Sequence, residues 1–289
     1  MKTNEVIPLI KEYRVDKIKK CLDCINKYPF NRDKQKECLL ELYPTKEDKS
    51  REHKEKSIFR GMIIPSLRHL GLIIGYADLI RLSANGKLIV DSENIGNELH
   101  QRVLGAVIFE IDRYEFGFMT ILQENPLPIQ HILILLNNDV LSQNQQRQMI
   151  ERIKKWCSIL EQVGLVNNQN GILSLDVSKY EQTLLDMDIN QKDKNVFEEY
   201  LIKSYFELGK ENAGIVVIAD LREKVALRFL EKNNAILTEG QFDEILRNLP
   251  FITDDYMISF GRSMGADEKL FKNSRGEYFK TLSIKKLGV

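Results

Sequence analysis

The 289-residue sequence contains no apolar run approaching the roughly 18 residues that a membrane-spanning helix needs. Its first residues, Met1-Lys2-Thr3-Asn4-Glu5, contain no apolar signal core. Only four cysteines occur, and their number and spacing do not resemble a disulfide framework. We therefore expect a cytoplasmic protein that makes no contact with a membrane.

Sequence motifs for the common catalytic chemistries are also missing. The sequence contains neither Gly-x-Gly-x-x-Gly nor Gly-x-x-x-x-Gly-Lys, and its four histidines supply little for acid–base catalysis. A metal-dependent nuclease needs clustered carboxylates and a lysine, and Ile215–Asp220 is the best candidate strand. No Glu-x-Lys lies on a second strand at a useful distance, and Asp220 is better explained as a helix cap. We expect no enzymatic activity from this chain and no cofactor.

The cysteines raise the question of a structural zinc site. Cys21-x-x-Cys24 has the spacing of a zinc knuckle, and Cys38 and His53 follow. The second pair is too widely spaced for a compact site, and Cys21 shares a helical face with Ile18, which explains it as a core residue. Core packing is the simpler interpretation, and zinc binding stays open.

Charge is balanced overall but unevenly distributed. The 42 basic and 42 acidic residues give a net charge of zero, which argues against a non-specific coat for nucleic acid. Lys11–Arg60 nevertheless has a net charge of +5 and Arg262–Val289 of +4. Clustered cations of this kind suit a specific nucleic-acid binder, whereas a solvated surface is the ordinary alternative.

One pattern occurs three times: a helical apolar stripe, a glycine or proline stop, and a short β-hairpin. The clearest copy is Ser57–Val90, where Ile63, Leu67 and Leu70 share one helical face and Gly71 can end the helix. Its predicted strands are Leu72–Ile74 and Leu79–Leu82. The second copy comprises a helix through Trp156, Gly164, and strands Leu165–Val166 and Ile172–Leu175. The third comprises strand Ile215–Ile218, a capping box at Thr238–Gln241, and strands Tyr256–Phe260 and Glu277–Ile284.

These copies predict a mainly α (α+β) fold made of three tandem winged-helix units with small β-hairpin wings, joined by helical linkers. The units are expected at residues 1–94, 126–185 and 196–289, and the third has a long basic wing at residues 261–276. A helical linker is expected at 95–125 and a polar linker at 186–195.

The polar faces of the predicted recognition helices carry side chains that match base edges. Arg and Lys pair with guanine and Asn and Gln with adenine, although every amphipathic helix exposes a polar face. The basic wing mixes glycines with cations, so that both backbone and side chains can approach phosphates. The candidate DNA-binding residues are Arg60, Arg68, His69, Gln148, Arg152, Lys155, Arg247, Asn248, Arg262, Lys272 and Arg275.

This organisation resembles the recognition half of FokI-type restriction endonucleases. The residues that carry the resemblance are Leu67–Leu72 with Leu82–Val90, and Ile153–Leu175, in which a Leu-Gly-Leu or Val-Gly-Leu step precedes a hairpin. The resemblance implies that three helix-turn-helix-related units recognise several base pairs asymmetrically, while a separate nuclease domain cuts. Since this sequence shows no cleavage domain, cleavage would belong to a partner chain or to a segment outside it. The resemblance assigns no individual base contact.

Three hypotheses follow from the sequence. The first is a sequence-specific reader of double-stranded DNA, acting as the recognition module or subunit of a restriction or other defence system beside a nuclease or other protein subunit. The second is a winged-helix transcription regulator, although a lone regulator is usually a symmetric dimer on a palindrome. The third is a scaffold whose winged helices bind proteins rather than DNA. Neighbouring open reading frames, a nuclease or methyltransferase against a promoter-linked operon, would discriminate best between them.

Overall fold

A computed structural model describes residues 10–43, 50–75, 79–136, 142–188, 191–210, 214–262 and 269–287. Helices dominate these residues, and the strands form small antiparallel sheets. The predicted α+β class is confirmed at this level, since no parallel pairing and no sheet of more than three strands occurs in these ranges. We refer to residues 10–96, 97–188 and 191–287 as the N-terminal, middle and C-terminal regions.

The N-terminal region consists of helices that lead into one two-stranded hairpin. Its elements are α1 (Val15–Lys27), α2 (Arg32–Leu42), α3 (Arg51–Lys56), a π-helical turn (Ser57–Met62), α4 (Ile63–His69), β1 (Ile73–Ile74), β2 (Arg81–Leu82) and α5 (Ala84–Ile95). The predicted hairpin is confirmed, with Ile73 opposite Leu82; part of its predicted turn, residues 76–78, lies outside the described residues. Phe30, between α1 and α2, donates its N–H to the carbonyl of Ile80 at 3.2 Å and so adds one bond to the open edge of β2.

Because Pro65 lies inside the predicted helix Ser57–Leu70, that helix is expected either to kink or to restart with proline in its first turn. The structure shows the restart. The π-helical turn ends at Met62, and α4 starts again at Ile63. Pro65 therefore lies in the first turn of α4, where its missing N–H breaks no intrahelical bond.

The expectation of unpaired cysteines is wrong for two of the four. Cys24 on α1 and Cys38 on α2 form a disulfide, with Cα atoms 5.7 Å apart. Two helices that face each other bring these residues together, although they lie 14 positions apart in the sequence. Cys21 stays a free, buried thiol, as predicted for a core residue, and its Sγ lies 3.4 Å from the Tyr43 hydroxyl.

The middle region contains the longest helix of the described residues. Its elements are α6 (Asn97–Ile111), a π-helical turn (Asp112–Phe116), α7 (Phe118–Leu122), β3 (Leu127–Pro128), α8 (Ile129–Leu136), α9 (Gln143–Gln162), β4 (Val166–Gln169), β5 (Ile172–Leu175) and α10 (Val177–Met187). The sheet order is β3–β5–β4. Residues 95–125 are mostly helical, as expected for the linker, but α7 also packs against β5.

The C-terminal region repeats this order of elements and adds a second hairpin. Its elements are α11 (Gln191–Gly209), β6 (Val216–Val217), α12 (Ile218–Asn233), α13 (Glu239–Asn248), β7 (Tyr256–Gly261), β8 (Phe271–Lys272), β9 (Tyr278–Phe279) and β10 (Thr281–Lys286). The sheet order is β6–β10–β7, and β8 pairs with β9. The single strand predicted at Glu277–Ile284 is therefore two strands, and α10 and α11 reach into the residues expected to form the polar linker.

The N-terminal and middle regions contain the same motif at an offset of 93 residues. In each, a left-handed glycine ends the long helix, Gly71 with φ 63° and Gly164 with φ 77°. A hairpin of equal register follows, with Ile73 opposite Leu82 and Val166 opposite Leu175. The residue after each glycine donates its N–H five residues back, at 2.9 Å in both regions: Leu72 to Leu67 O and Leu165 to Leu160 O. The residue after each hairpin donates its N–H to the residue that precedes the first strand, at 3.0 Å in both regions: Ser83 to Leu72 O and Asp176 to Leu165 O. Both glycine steps are Schellman motifs, so the pattern seen in the sequence has a common backbone geometry.

The three regions share one continuous apolar core. Helix α5 packs against α1, α6 and α12 and so lies among all three. No helix in the described ranges combines the length and hydropathy needed to cross a lipid bilayer.

Candidate nucleic-acid interface

Helix α9 exposes its first two turns completely. Ser142 caps the helix, and its side chain and that of Gln145 form the reciprocal bonds of a capping box. Residues 143–148 are all exposed, and Met149 is the first buried position. Because the cap satisfies the helix N-terminus locally, these turns need no protein neighbour to keep their helical form.

The outermost side chains of α9 are amides and ions. Seen from the buried Met149, a 100° step per residue places Asn144, Arg147 and Glu151 on the side opposite the core, and all three are exposed. Gln148, a sequence candidate, is exposed on one flank of this face. The helix contains four Lys or Arg and two Glu, a net charge of +2. Asn144 and Arg147 were not among the sequence candidates, although the helical phase of Met149 identifies them.

The other two candidates on α9 lie further along the helix. Arg152 and Lys155 are partly buried, and the Lys155 ammonium lies 6.0 Å from the centre of the Tyr13 ring. Gln162 at the end of α9 accepts a hydrogen bond from Val15 N–H and donates one to Tyr13 O, both 2.9 Å. The N-terminal region therefore contacts one side of the C-terminal half of α9, whereas residues 143–148 are exposed on every side.

A buried contact holds α9 on its scaffold. Trp156 is fully buried, stacks on Phe116 at 4.1 Å and donates its Nε1–H to Asp112 at 2.6 Å. Asp112 also accepts the Met119 N–H at 2.8 Å. Burial raises the pKa of Asp112 to about 6, against the opposing effect of these donors. The result is a fixed orientation of α9 relative to α6 and α7.

The N-terminus of α13, the corresponding helix of the C-terminal region, is buried. Its predicted capping box at Thr238 and Gln241 is confirmed. Glu110 of α6 fills the space in front of this N-terminus, where it accepts from the Thr238 hydroxyl and from Gly240 N–H at 3.1 Å. Asn85 of α5 donates to the same carboxylate at 3.0 Å. Burial raises the pKa of Glu110, and the bonds from Thr238 and Asn85 partly offset that rise.

The next residue, Glu239, extends this network to the N-terminal region. Glu239 and Asn85 exchange two hydrogen bonds between backbone and side chain, of 2.9 and 3.1 Å. Lys269 contacts the Glu239 carboxylate and donates to Gly71 O at 2.6 Å. Burial would raise the pKa of Glu239, but the charges of Lys269 and Arg222 hold it below its ordinary value. The network joins α5, α6 and α13 and covers the N-terminus of α13.

Helix α13 contains more acidic than basic side chains, but Glu239 and Asp243 are paired with Lys269 and Arg222. The helix contains three carboxylates and one arginine, a net charge of −2. The sequence candidate Arg247 is partly buried and donates its Nε–H to Lys272 O at 3.0 Å. Asn248 is exposed, and its side chain donates to Glu244 O at 3.0 Å. Both candidates therefore have intramolecular contacts.

The predicted basic wing is partly described. Residues 263–268 lie outside the described residues, while Arg262, Lys272 and Arg275 are exposed. Arg262 pairs with Glu277, and Lys272 lies 5.5 Å from the centre of the Tyr278 ring. The hairpin β8–β9 thus brings cations and an exposed aromatic ring to the surface.

The candidates of the N-terminal region lie at two different places. Arg60 is exposed in the π-helical turn, whereas Arg68 and His69 lie at the C-terminal end of α4. Arg68 donates to Gly75 O at 2.8 Å and so ties the helix end to the hairpin. Ser66, on the same helix, is fully buried and accepts the Lys11 N–H at 2.9 Å.

The interpretation of Asp220 as a helix cap is wrong. Helix α12 begins at Ile218, with Val217 at the N-cap, because β6 passes directly into the helix. Asp220 instead pairs with Arg81 of β2 at 2.6 Å, and Glu223 lies 3.6 Å from the same guanidinium. Asp220 therefore connects the C-terminal and N-terminal regions.

Neither metal-ligand geometry nor comparison with known proteins identifies a function for the described residues. Within the described ranges, no group of three or more His, Cys, Asp or Glu side chains is placed to hold a metal ion. No protein-family model, no curated protein and no solved structure matches this chain. The function is therefore argued from the chain's own geometry.

Proposed function

We propose that this chain binds double-stranded DNA sequence-specifically, as the recognition module or subunit of a restriction or other defence system. The observation that carries the proposal is the exposed N-terminal half of α9, where the side chains of Asn144, Arg147 and Gln148 are exposed to solvent. Amides and guanidinium groups pair with adenine and guanine edges in the major groove, which admits one α-helix.

The proposed architecture is three tandem winged helices. In the middle and C-terminal regions, the order helix, strand, helix, helix, strand, strand recurs, and the last strand lies between the other two (β3–β5–β4 and β6–β10–β7). In the N-terminal region, the Phe30 bond to Ile80 stands at the position of the first strand. Helix α9 is then the recognition helix of the middle unit, and β4–β5 is its wing.

A binding selection over random duplexes tests this proposal directly. We expect the full chain to enrich one asymmetric sequence, and Arg147→Ala to relax the preference at one position and to cost about 1–3 kcal/mol. Glu161→Ala, on the exposed C-terminal end of the same helix, is the matched control and should leave the preference unchanged. Recovery of no enriched sequence, with identical weak binding by all variants, contradicts the proposal. Enrichment of a palindrome by a dimer would favour a transcription regulator instead.

We also propose that cleavage belongs to a partner. Incubation of the chain with plasmid DNA and Mg²⁺ or Mn²⁺ should leave the plasmid intact. Cutting that disappears in an Asp220→Ala variant would overturn this part of the proposal, because Asp220 ends the best candidate strand for a nuclease.

A scaffold function is the second candidate, and one observation favours it. A groove of about 750 Å³ lies between α6, α10 and α13. Its apolar lining includes Phe109, Met187, Ile245 and the exposed Leu184 and Leu185. Exposed apolar grooves of this kind often bind protein segments. Loss of a partner protein, but not of DNA binding, in Leu185→Asp would assign this groove to protein contact.

A further inference from the structure

The internal repeat relates α9 to a second helix start, in the N-terminal region. Ser142 caps α9, 22 residues before the glycine that ends that helix, and Ser50 caps α3, 21 residues before Gly71. In each case the serine side chain accepts a backbone N–H three residues on, that of Gln145 or His53. The two long helical segments thus begin and end in the same way.

This correspondence places residues 51–56 where α9 has its exposed amides. Arg51, His53 and Lys56 are exposed, as is Arg60 in the π-helical turn that follows. From Arg51 to Arg60 the segment contains four Lys or Arg and two Glu, a net charge of +2, equal to that of α9.

The ion pairs on this surface are weak enough for phosphates to replace them. Lys56 lies 2.8 Å from Glu52, and Arg51 lies 3.8 Å from Glu55, both within one exposed helix. Exposed pairs at this spacing contribute little to stability, because solvent and salt screen them. An arriving phosphate can therefore compete with the carboxylates for either cation.

A recess beside this helix adds shape to the charge. A groove of about 680 Å³ separates α3 and the π-helical turn from the start of α2. Two aromatic rings, four cations and three carboxylates line it: Phe30, Phe59, Arg32, Lys36, Lys56, Arg60, Asp33, Glu52 and Glu55. The Arg32 guanidinium lies 5.5 Å from the centre of the Phe59 ring. The cations exceed the carboxylates by one, and together with the aromatic walls they fit a strand of the DNA backbone.

The two helical surfaces belong to one connected frame. Ser66 of α4 accepts the Glu12 N–H at 3.3 Å, and three residues later Val15 donates to Gln162 of α9. The long helical segments are thus joined near their C-terminal halves, and their N-terminal halves extend from that junction. The rise per residue of the two helical segments, together with the length of the chain that joins them, limits the distance between the two exposed surfaces to roughly 60 Å. This distance corresponds to about 17 base pairs of duplex.

We infer that Arg51–Arg60 is a second DNA-contacting surface, which grips the phosphate backbone and guanine edges of the same duplex that α9 recognises. The inference rests on the proposed function. It makes the DNA site bipartite and chemically asymmetric: α9 presents amides and an arginine, suited to adenine and guanine, whereas residues 51–60 present cations without amides, suited to phosphate and guanine. Arg60 belongs to this surface, while Arg68 and His69 at the other end of the segment do not.

The test combines Arg51→Ala, Lys56→Ala and Arg60→Ala in the full chain. The probe is a labelled duplex of about 40 base pairs, longer than the estimated span, carrying the sequence that the wild type enriches or, without enrichment, mixed sequence. We expect the slope of log Kobs against log salt to fall by about three units and affinity at ~0.15 M salt to fall at least about tenfold. Hydroxyl-radical footprinting should lose one end of the protected region. Lys20→Ala, an exposed cation on α1, is the control and should change neither.

Two results separate this inference from the proposed function. An unchanged slope and footprint in the triple variant, while Arg147→Ala weakens binding, overturns the second surface and leaves the proposed function standing. Unchanged binding in both variants overturns the proposed function as well. If the triple variant has a lower Tm than the wild type, Arg60→Ala alone replaces it, with an expected slope change of about one unit.

Discussion

Helices α9 and α13 both begin with a capping box and both precede a hairpin, yet their N-termini have different surroundings. The N-terminus of α9 is satisfied by its own capping box and stands in solvent, whereas that of α13 also meets the carboxylate of Glu110. The net charges are opposite, +2 against −2. The position of a helix in the topology therefore does not decide whether its N-terminus is exposed; its neighbours do. In the proposed function α9 is the recognition helix, whereas α13 connects the regions.

The largest effect is expected when the Glu110 carboxylate, which holds the N-terminus of α13, is removed. Glu110→Ala leaves the Thr238 hydroxyl, the Gly240 N–H and the Asn85 amide without their acceptor, and we expect the free energy of unfolding to fall by roughly 3–5 kcal/mol. Denaturant titration measures it. Glu110→Gln keeps one acceptor oxygen and should lose less, and the exposed Glu115→Ala should lose almost nothing. Equal stability of Glu110→Ala and Glu115→Ala would show that α13 is not held in this way.

The contact between Asp112 and Trp156, which holds α9, should respond to pH. The pKa of Asp112 is raised from 3.8 to about 6, so the folded state holds a proton that the unfolded state releases above pH 3.8. Stability should therefore fall as pH rises from about 4 to 6, by roughly 3 kcal/mol, and stay level above that window. Asp112→Asn removes this titration. The difference in unfolding free energy between the two proteins should thus vary with pH only in that window, and a constant difference would contradict the burial of a titrating carboxyl.

A matched pair of arginines compares the two helices on DNA. Arg147→Ala should weaken binding to the enriched sequence by about 1–3 kcal/mol, because a base contact is lost. Arg247→Ala removes a bond to the Lys272 carbonyl and should leave DNA affinity within about twofold, a change below 0.5 kcal/mol. Fluorescence anisotropy at fixed salt measures both. An equal loss in Arg247→Ala would restore α13 as a recognition helix, as the sequence predicts.

The smallest effect is expected in the basic wing. Arg275→Ala should weaken binding to every sequence by less than about 1 kcal/mol at ~0.15 M salt and lower the salt slope by about one unit. Arg262→Ala should do less, because Arg262 is already paired with Glu277. A change of sequence preference in either variant would mean that the wing contacts bases rather than phosphates.

The local features of the fold could be predicted from the sequence. The glycine stop at Gly71, the capping box at Thr238 and the hairpin at Ile172–Leu175 depend on neighbours within a few positions, and all three are confirmed. The helix Arg51–Lys56 buries no residue, so the sequence has no apolar periodicity there that distinguishes a helix from a loop. Its serine cap is a local signal in favour of the helix.

Long-range contacts could not be predicted in this way. Glu110 lies within an apolar helix, and its partner Thr238 is 128 positions away. The Cys24–Cys38 pairing depends on how α1 faces α2, which the spacing of two cysteines does not determine. The net charge of the whole chain is zero, so it does not show that α9 has a net charge of +2 and α13 of −2.

The stacked and hydrogen-bonded Trp156 gives the molecule a built-in reporter. It is the only tryptophan of the chain, so tryptophan fluorescence observes the middle region alone, whereas circular dichroism observes all helices. Because the bonds of Asn85, Glu110 and Thr238 cross the regions, the three should melt cooperatively, and both signals should change over one transition. Loosening of the crossing bonds would separate the two curves, and their separation would measure how strongly the regions depend on one another.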